Sequence, residues 1–100
     1  MKFVFDEEKN LRLKAERGVS FEEIVEAIEA NKVIRVFKHH NTEKYPLQRI
    51  MLVEIRGYIW QVPFLEKGDF FILKTAYPSR KATARYLKAN LEENINEDRK

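Results

Sequence analysis

The hydrophobic and polar pattern at the start of the chain predicts a short strand followed by a helix. Residues 2–5 favour an extended segment, and Asp6 is a residue type that caps helices, so a helix is expected from Glu7 to about Glu16. Gly18 follows closely, and glycine readily adopts the left-handed conformation in which many helices end.

The next segment predicts a second helix from its first turn. Ser20 and Glu23 have the spacing of a capping box, and Val19 with Ile24 has the spacing of a hydrophobic staple. The second helix is therefore expected to begin at Phe21. Helical spacing gives it a buried face of Phe21, Ile24, Val25 and Ile28 and a solvent face of Glu22, Glu23, Glu26 and Glu29.

After residue 32 the pattern changes to β-branched and alternating segments, which predict strands. The first covers residues 33–37 and is followed by a polar connector, residues 38–48. Further strands are predicted at 49–55, 58–65 and 70–77, and the short turns between them require antiparallel neighbours. Pro63 has no amide hydrogen to donate, so it is expected at a sheet edge or a bulge.

A last helix is predicted where the final strand stops. Pro78 ends the strand because it cannot donate to a ladder, and Ser79 is a favourable N-cap for a helix over residues 79–93. Residues 94–100 are expected to form a frayed polar tail. Helical spacing predicts an inward-facing stripe with a cation at its head, formed by Arg80, Ala84, Leu87 and Leu91.

Together these elements predict one α+β domain over residues 1–93. Its sheet is expected to be antiparallel, of about four strands, with two helices near the start and one closing helix on a sheet face. One hundred residues allow a single modest core. No cysteine is present, which favours a reducing compartment, and the start of the chain has no signal-peptide pattern, so a cytoplasmic location is expected. Apolar runs are far shorter than the roughly 20 residues of a membrane helix, and no membrane partner is expected.

Charge is unevenly distributed along the sequence. Residues 31–91 contain twelve Lys or Arg and four Asp or Glu, a net charge of +8, whereas both ends are net acidic. A concentrated positive field favours a polyanionic partner such as RNA. The alternative is a basic, solvated surface with no partner.

Motif content excludes several enzyme classes and indicates where chemistry could occur. With three glycines the chain has no P-loop, dinucleotide turn or nucleophile elbow, so no nucleotide cofactor is expected. His39 and His40 are adjacent, and neighbours on an extended chain point to opposite sides, so no metal site is expected.

The connector combines residue types that metal-free RNA cleavage requires. It contains two imidazoles together with Lys44 and Tyr45. Imidazole acts as acid or base near neutral pH, and lysine stabilises charge on phosphate. The alternative is that Tyr45 and Pro46 anchor a loop whose charges are solvated. Arg80 likewise has two interpretations, an anion-binding residue or a cation that snorkels at the end of the core.

Three segments resemble the BrnT family of toxins. Residues 5–10, Phe-Asp-Glu-Glu-Lys-Asn, and residues 17–23, Arg-Gly-Val-Ser-Phe-Glu-Glu, are similar to the opening motifs of that family. Residues 79–83, Ser-Arg-Lys-Ala-Thr, are similar to its Ser/Ala-Arg-x-Ala-Thr segment at the start of the last helix. The order of the motifs also matches, over most of residues 3–87. The connector and Tyr77-Pro78 depart from the family pattern.

The resemblance implies a RelE-like fold and a ribonuclease toxin of a type II toxin–antitoxin pair. Such a toxin inhibits translation and is neutralised by a DNA-binding antitoxin, expected here to be of the ribbon-helix-helix type. A homo-oligomer or a toxin–antitoxin hetero-oligomer is compatible with this assignment. By position, Arg80 corresponds to the family's Arg and Lys9 to its Lys.

The resulting hypothesis is a metal-independent endoribonuclease. Arg80 and Lys74 would hold the scissile phosphate, His39 would act as acid or base, and Tyr45 or Tyr77 would position a nucleotide. The further predicted RNA-binding residues are Lys9, Lys44, Tyr77, Lys81 and Arg85. The alternative is a catalytically silent module of the same fold that binds RNA or an antitoxin.

Overall fold

The computed structural model describes residues 2–88, which form six strands, three helices and a π-helical turn. The strands are β1 (Lys2–Val4), β2 (Val33–Lys38), β3 (Arg49–Ile55), β4 (Tyr58–Lys67), β5 (Phe70–Leu73) and β6 (Tyr77–Pro78). The helices are α1 (Glu7–Arg17), α2 (Phe21–Glu29) and α3 (Arg80–Thr83), and the π-helical turn is Ala84–Lys88. The predicted continuation of the last helix to residue 93 and the predicted tail, residues 94–100, lie outside the described residues.

All six strands belong to one mixed sheet. Its order is β1-β5-β4-β3-β2, with β6 paired to β4 beside β5. The β1–β5 pair is parallel and the other pairs are antiparallel. The α+β class is confirmed, but the sheet is larger than the predicted four strands. It is larger because β1 adds to the edge of β5 and because the strand predicted over residues 70–77 is divided into β5 and β6.

The sheet buries side chains on both faces. One face packs against α1 and α2, and its core includes Leu13, Phe21, Ile24, Val53 and Phe64. The other face carries a smaller cluster under α3 and the π-helical turn, formed by Ile50, Leu52, Ile59 and Ala82. Successive side chains of β3 point to opposite faces of the pleated sheet, so this strand contributes residues to both cores.

Local capping signals at the first two helices are confirmed. The Asp6 side chain accepts a hydrogen bond from the Lys9 amide, and Gly18 ends α1 with φ of 69°. The Ser20 hydroxyl accepts from the Glu23 amide at 3.1 Å. The Glu23 carboxylate binds Arg56, whose Nε lies 2.9 Å from Oε2, so a residue on the β3–β4 turn engages the second half of the predicted capping box.

Pro63 lies in the interior of β4, at the point where the neighbouring strand changes. Residues 60–61 pair with β6, residues 64–67 pair with β5, and the Pro63 carbonyl accepts from the Lys74 amide at 2.9 Å. The carbonyl and nitrogen of a strand residue face the same side, so the missing amide hydrogen of Pro63 faces residues 74–76, where the chain leaves the ladder. The sheet thus accommodates Pro63 because the neighbouring strand is interrupted between β5 and β6, opposite the missing amide hydrogen.

The inward stripe predicted for the last helix is wrong at Arg80 and Ala84, whereas Leu87 packs against the core as predicted and Leu91 lies outside the described residues. Arg80 and Ala84 are exposed, whereas Ala82 and Thr83 are buried. The Thr83 hydroxyl lies 2.8 Å from the Ile59 amide, from which it accepts, and donates to the Ser79 carbonyl at 2.7 Å. These polar contacts orient α3 with Thr83 against β4 and turn Arg80 toward solvent. Ser79 caps α3 as predicted, accepting from the Ala82 amide.

Residues 2–88 include no helix whose length and apolar character would let it cross a bilayer.

Candidate functional site

A cleft of about 590 Å³ lies between α1, the connector and the segment that joins β5 to β6. We call it the α1 cleft. A volume of this size accommodates a ligand as large as a nucleotide. Its lining residues are Lys9, Arg12, Leu13, Glu16, Arg17, His39, Tyr45, Gln48, Pro63, Lys74, Thr75 and Tyr77.

One face of α1 supplies the charged wall of the cleft. Its lining residues follow helical spacing, so they project from one stripe of the helix: Lys9, Arg12, Leu13, Glu16 and Arg17. Leu13 is buried in the core, and this fixes the rotation of the helix. The guanidinium of Arg17 donates to the Ala76 carbonyl and so joins the end of α1 to the segment between β5 and β6.

The connector folds back on itself and brings His39 against Tyr45. The His39 amide donates to the Gln48 carbonyl at 3.0 Å, which closes the loop at its base. Inside the loop, the Asn41 side chain accepts from the Lys44 amide at 3.2 Å. The His39 and Tyr45 rings consequently lie 4.6 Å apart, centroid to centroid.

The surroundings of His39 favour the neutral form of its imidazole. Its side chain is buried, and its Nδ1 lies 3.0 Å from the Asn41 amide, from which it accepts a hydrogen bond. Burial, with a smaller contribution from the charge of His40, lowers the pKa of His39 below its usual 6.5. Because Nδ1 is an acceptor, the proton of the neutral ring is on Nε2, and the ring is a hydrogen-bond donor at that atom.

The segment between β5 and β6 completes the cleft. Lys74 and Tyr77 are partly buried there, on either side of the interruption opposite Pro63. Burial raises the pKa of the Tyr77 phenol above its usual 10.0, although the nearby Arg17 acts in the opposite direction. The phenol is therefore protonated at neutral pH and is available as a donor.

The electrostatic character of the α1 cleft is positive. Lys9, Arg12, Arg17 and Lys74 contribute four cations, and Glu16 contributes one carboxylate. Cations that converge on a concave surface concentrate the field and attract anions. The arrangement can hold a phosphate group, and two tyrosine rings beside it can contact a planar base.

Five of the predicted site residues meet in this cleft, although they are distant in sequence: Lys9, His39, Tyr45, Lys74 and Tyr77. Lys44 is exposed on the connector, with Nζ 5.3 Å from the centre of the Tyr45 ring. Lys81 and Arg85 line a different depression, described below. Arg80 is exposed on α3 and lines neither depression.

Arg12, Glu16 and Arg17 line the cleft but were not predicted from the sequence as site residues. They lie in the net-acidic beginning of the chain, where residues 1–30 contain five Lys or Arg and eight Asp or Glu, a net charge of −3. The signal that could have identified them is helical spacing, which places Arg12 and Arg17 on the same stripe as Lys9 and the core residue Leu13. Net charge over a segment hides such a stripe, since the acidic residues of a helix can face elsewhere.

A second depression of about 340 Å³ lies on the sheet face that carries α3. We call it the α3 groove. Its cations are Arg35, Lys81 and Arg85, and its aromatic residues are Phe37 and Tyr86. Arg35 donates to the Tyr86 hydroxyl at 3.0 Å, and this bond lowers the pKa of that phenol below its usual 10.0.

The two histidine rings do not point to opposite sides, contrary to the sequence-based expectation. Their centroids lie 4.6 Å apart, because the chain bends at His40. Within residues 2–88, no group of three or more His, Cys, Asp or Glu side chains is arranged to hold a metal ion.

The chain matches no family model, no curated protein and no solved structure.

Proposed function

We propose that the protein is a metal-independent endoribonuclease that acts as the toxin of a type II toxin–antitoxin pair. The observation that carries the proposal is the α1 cleft, where four cations meet two tyrosines and a neutral histidine in a volume suited to a nucleotide. RNA is the polyanion that also offers an internal nucleophile, its 2′-hydroxyl, so cleavage needs no bound metal.

The proposed reaction is transfer of the phosphodiester to the neighbouring 2′-oxygen. The 2′-oxygen attacks phosphorus and loses its proton, the bond to the 5′-oxygen breaks, and the 5′-oxygen gains a proton. The products are a 2′,3′-cyclic phosphate and a 5′-hydroxyl. Negative charge on the phosphoryl oxygens increases on the way to the transition state, so fixed cations accelerate the step.

The lining residues supply groups suited to these tasks. Lys74, Arg12 and Arg17 would bind the phosphate, with Arg17 held in place by its bond to the Ala76 carbonyl. Glu16 is the carboxylate among the lining residues and would accept the 2′-hydroxyl proton. Tyr77, whose pKa is raised by burial, would donate toward the leaving oxygen.

The hydrogen bond at Nδ1 suits His39 to binding the phosphate better than to acting as a general base. With Nδ1 accepting from Asn41, its Nε2–H would donate to a phosphoryl oxygen and its ring, next to Tyr45, would help to position the nucleotide. Action as a general base at Nε2 would require the other tautomer and the loss of the Asn41 bond. Its assignment as acid or base therefore stays a prediction.

The toxin assignment rests on the family resemblance and on the observed order of elements. A strand, two helices, further antiparallel strands and a closing helix are compatible with the RelE-like fold that the resemblance implies. The proposed partners are RNA and a ribbon-helix-helix antitoxin. Expression of the chain alone should arrest growth, and co-expression with the product of an adjacent antitoxin gene should restore it.

Cleavage of RNA in the presence of EDTA tests the enzymatic proposal. We expect the wild-type protein to yield cyclic-phosphate and 5′-hydroxyl ends, and we expect Lys74→Ala and Arg12→Ala to slow cleavage by roughly 100-fold, the loss typical of one charge-stabilising donor. Lys67→Ala, an exposed lysine outside both depressions, is the matched control. Intact RNA after incubation with the wild-type protein would refute the proposal.

Arg80→Ala distinguishes two locations for the cleavage reaction. The resemblance implies that it occurs at Arg80 on α3, and the structure favours the α1 cleft. If the cleft binds the scissile phosphate, Arg80→Ala cleaves at close to the wild-type rate. A loss as large as that of Lys74→Ala would place the reaction on α3 instead.

The second candidate function is binding of RNA or an antitoxin without cleavage. It is favoured by the hydrogen bond from the Asn41 amide that occupies His39 Nδ1. A site in which the imidazole cannot exchange protons readily could bind RNA or an antitoxin and leave both intact. This function predicts salt-dependent RNA binding with no new ends and no growth arrest.

A further inference from the structure

The α1 cleft and the α3 groove are adjacent. Tyr77 lines the cleft and Gln61 lines the groove, and these two residues are directly paired between β6 and β4. The Cα atoms of paired antiparallel residues are about 4.5–5.5 Å apart. Pro63, two residues after Gln61 on β4, also lines the cleft, and Ser79, which directly follows β6, lines the groove. The linings of the two depressions therefore meet at the two-residue strand β6.

The groove has the same charge as the cleft. Arg35, Lys81 and Arg85 contribute three cations, and no Asp or Glu is among its described lining residues. A cationic ligand would be repelled by this environment. A polyanion that occupied the cleft would meet further positive charge as soon as it crossed β6.

The groove also presents aromatic surface beside its cations. The Arg35 guanidinium lies 5.9 Å from the centre of the Phe37 ring, and that of Arg85 lies 5.6 Å from the centre of the Tyr86 ring. Cations that alternate with aromatic rings suit a chain in which phosphates alternate with unstacked bases. Bases within a duplex are stacked on each other and cannot reach such rings, so a single strand fits better.

We propose that the α3 groove is a second subsite for single-stranded RNA, continuous with the α1 cleft across β6. This inference rests on the proposed function, because it assumes that RNA occupies the cleft. It adds that the bound strand extends beyond the nucleotide at the cleft and that Lys81, Arg85 and Tyr86 hold its distal part. Affinity should therefore depend on the length of the strand.

Binding of 2′-O-methyl RNA to the full chain tests the proposal without interference from cleavage, because the methyl group blocks the attacking oxygen. Oligonucleotides of about 4 and about 12 nucleotides bracket the lengths that small single-strand-binding folds cover. The variant Lys81→Ala/Arg85→Ala removes two groove cations, and Lys32→Ala/Lys67→Ala removes two exposed lysines outside both depressions. Circular dichroism of each variant checks that it is folded.

We expect the groove variant to bind the long oligonucleotide roughly 10- to 30-fold more weakly at about 0.1 M salt and to lower its salt slope by about 1.4, the value for two lost phosphate contacts. Binding of the short oligonucleotide should change little, and the control variant should match the wild type. Lys81→Arg/Arg85→Lys should retain the wild-type slope.

Several results would overturn the inference. Equal losses for both lengths, or no loss for either, would show that the groove is not a distal subsite. Groove-dependent binding of polyglutamate as tight as that of RNA would assign the groove to an acidic protein segment. If the long strand binds through the groove and yet remains uncleaved in its 2′-hydroxyl form, the subsite stands and the endoribonuclease proposal fails.

Discussion

Asn10 shows how a single buried polar residue positions the wall of the cleft. Its exposed fraction is 1%, and its Oδ1 accepts from the Phe21 amide at 2.8 Å. Its Nδ2 donates to both oxygens of Glu22, at 2.7 and 3.0 Å. The side chain therefore caps α2 from α1 and fixes the angle between the two helices.

We expect Asn10→Ala to lower the free energy of unfolding by about 1–3 kcal/mol, because the Phe21 amide would be buried without an acceptor. Urea unfolding followed by circular dichroism measures the change. Leu11→Ala, at a neighbouring position that is 63% exposed, should change stability by less than about 0.5 kcal/mol. Equal effects of the two substitutions would show that the Asn10 bonds contribute nothing particular.

The hydrogen bonds between Asn10 and Glu22 depend on pH, because the Glu22 carboxylate can be protonated. The hydrogen bond from Asn10 is the main reason that the pKa of Glu22 lies below its usual 4.5. A carboxyl whose pKa is lower in the folded than in the unfolded chain stabilises the fold at pH values above its unfolded-state pKa. This stabilisation is lost as pH falls through the folded-state pKa. We expect wild type to exceed Glu22→Gln in stability at pH 7 and to lose this advantage progressively as pH falls below 4.5. Unfolding curves across this range that run parallel would contradict the expectation.

At the scale of the element, Thr83 attaches α3 to the sheet. Its hydroxyl accepts from the buried Ile59 amide on β4 and donates to the Ser79 carbonyl, so one side chain joins the helix, its cap and a central strand. This attachment determines which face of α3 is solvent-exposed and therefore where Lys81 and Arg85 project.

We expect Thr83→Val to cost about 1–3 kcal/mol in stability, because valine preserves the shape but leaves the Ile59 amide without an acceptor. Thr83→Ser keeps the hydroxyl and loses one methyl group, which corresponds to about 0.8 kcal/mol. Denaturant midpoints of the two variants give the comparison. A serine variant less stable than the valine variant would show that packing, not the hydrogen bond, holds α3.

Features that a few neighbouring residues determine were predictable from the sequence. The caps at Asp6, Gly18 and Ser20 follow from chemistry within one helical turn, and the structure contains all three. The interruption between β5 and β6 was not predictable in this way. It depends on Pro63, a residue on the neighbouring strand whose missing amide hydrogen affects the pairing of residues 74–76.

The candidate site was predicted only in part, because it too depends on contacts between residues that are distant in sequence. Residue types identified Lys74, His39 and Tyr45, but their convergence depends on how the connector closes and on where the sheet is interrupted. Arg80 was singled out by the family resemblance and by an assumed inward stripe, and the start of that stripe changes once the Thr83 hydroxyl binds β4. Long-range hydrogen bonds of this kind leave no local signature in the sequence.

At the scale of the whole molecule, the cleft concentrates like charges that repel each other in the absence of a ligand. An anion bound there should therefore stabilise the fold, by about 2.7 kcal/mol when its concentration is 100 times Kd. We expect inorganic tripolyphosphate to raise Tm by several degrees at low salt, and the increase to disappear at about 1 M salt, where charges are screened.

The shift in Tm should be much smaller for Arg12→Ala/Lys74→Ala, which removes two cleft cations. Lys32→Ala/Lys67→Ala removes the same charge elsewhere and should respond like the wild type. The comparison uses the difference in Tm with and without ligand, so any intrinsic effect of the substitutions cancels. Equal shifts in both variants would indicate general charge neutralisation.

The parallel pair between β1 and β5 has a consequence for biosynthesis. Lys2 pairs with Phe70, and the cleft beside this region combines α1 with residues that follow β5. Synthesis proceeds from the amino terminus at about 5–20 residues per second, so α1 precedes Lys74 by several seconds. A partly synthesised chain thus displays the cations of α1 without an enclosed cleft. Recognition of a phosphate in a closed site is accordingly a property that the polypeptide acquires only after residues 74–77 have been synthesised.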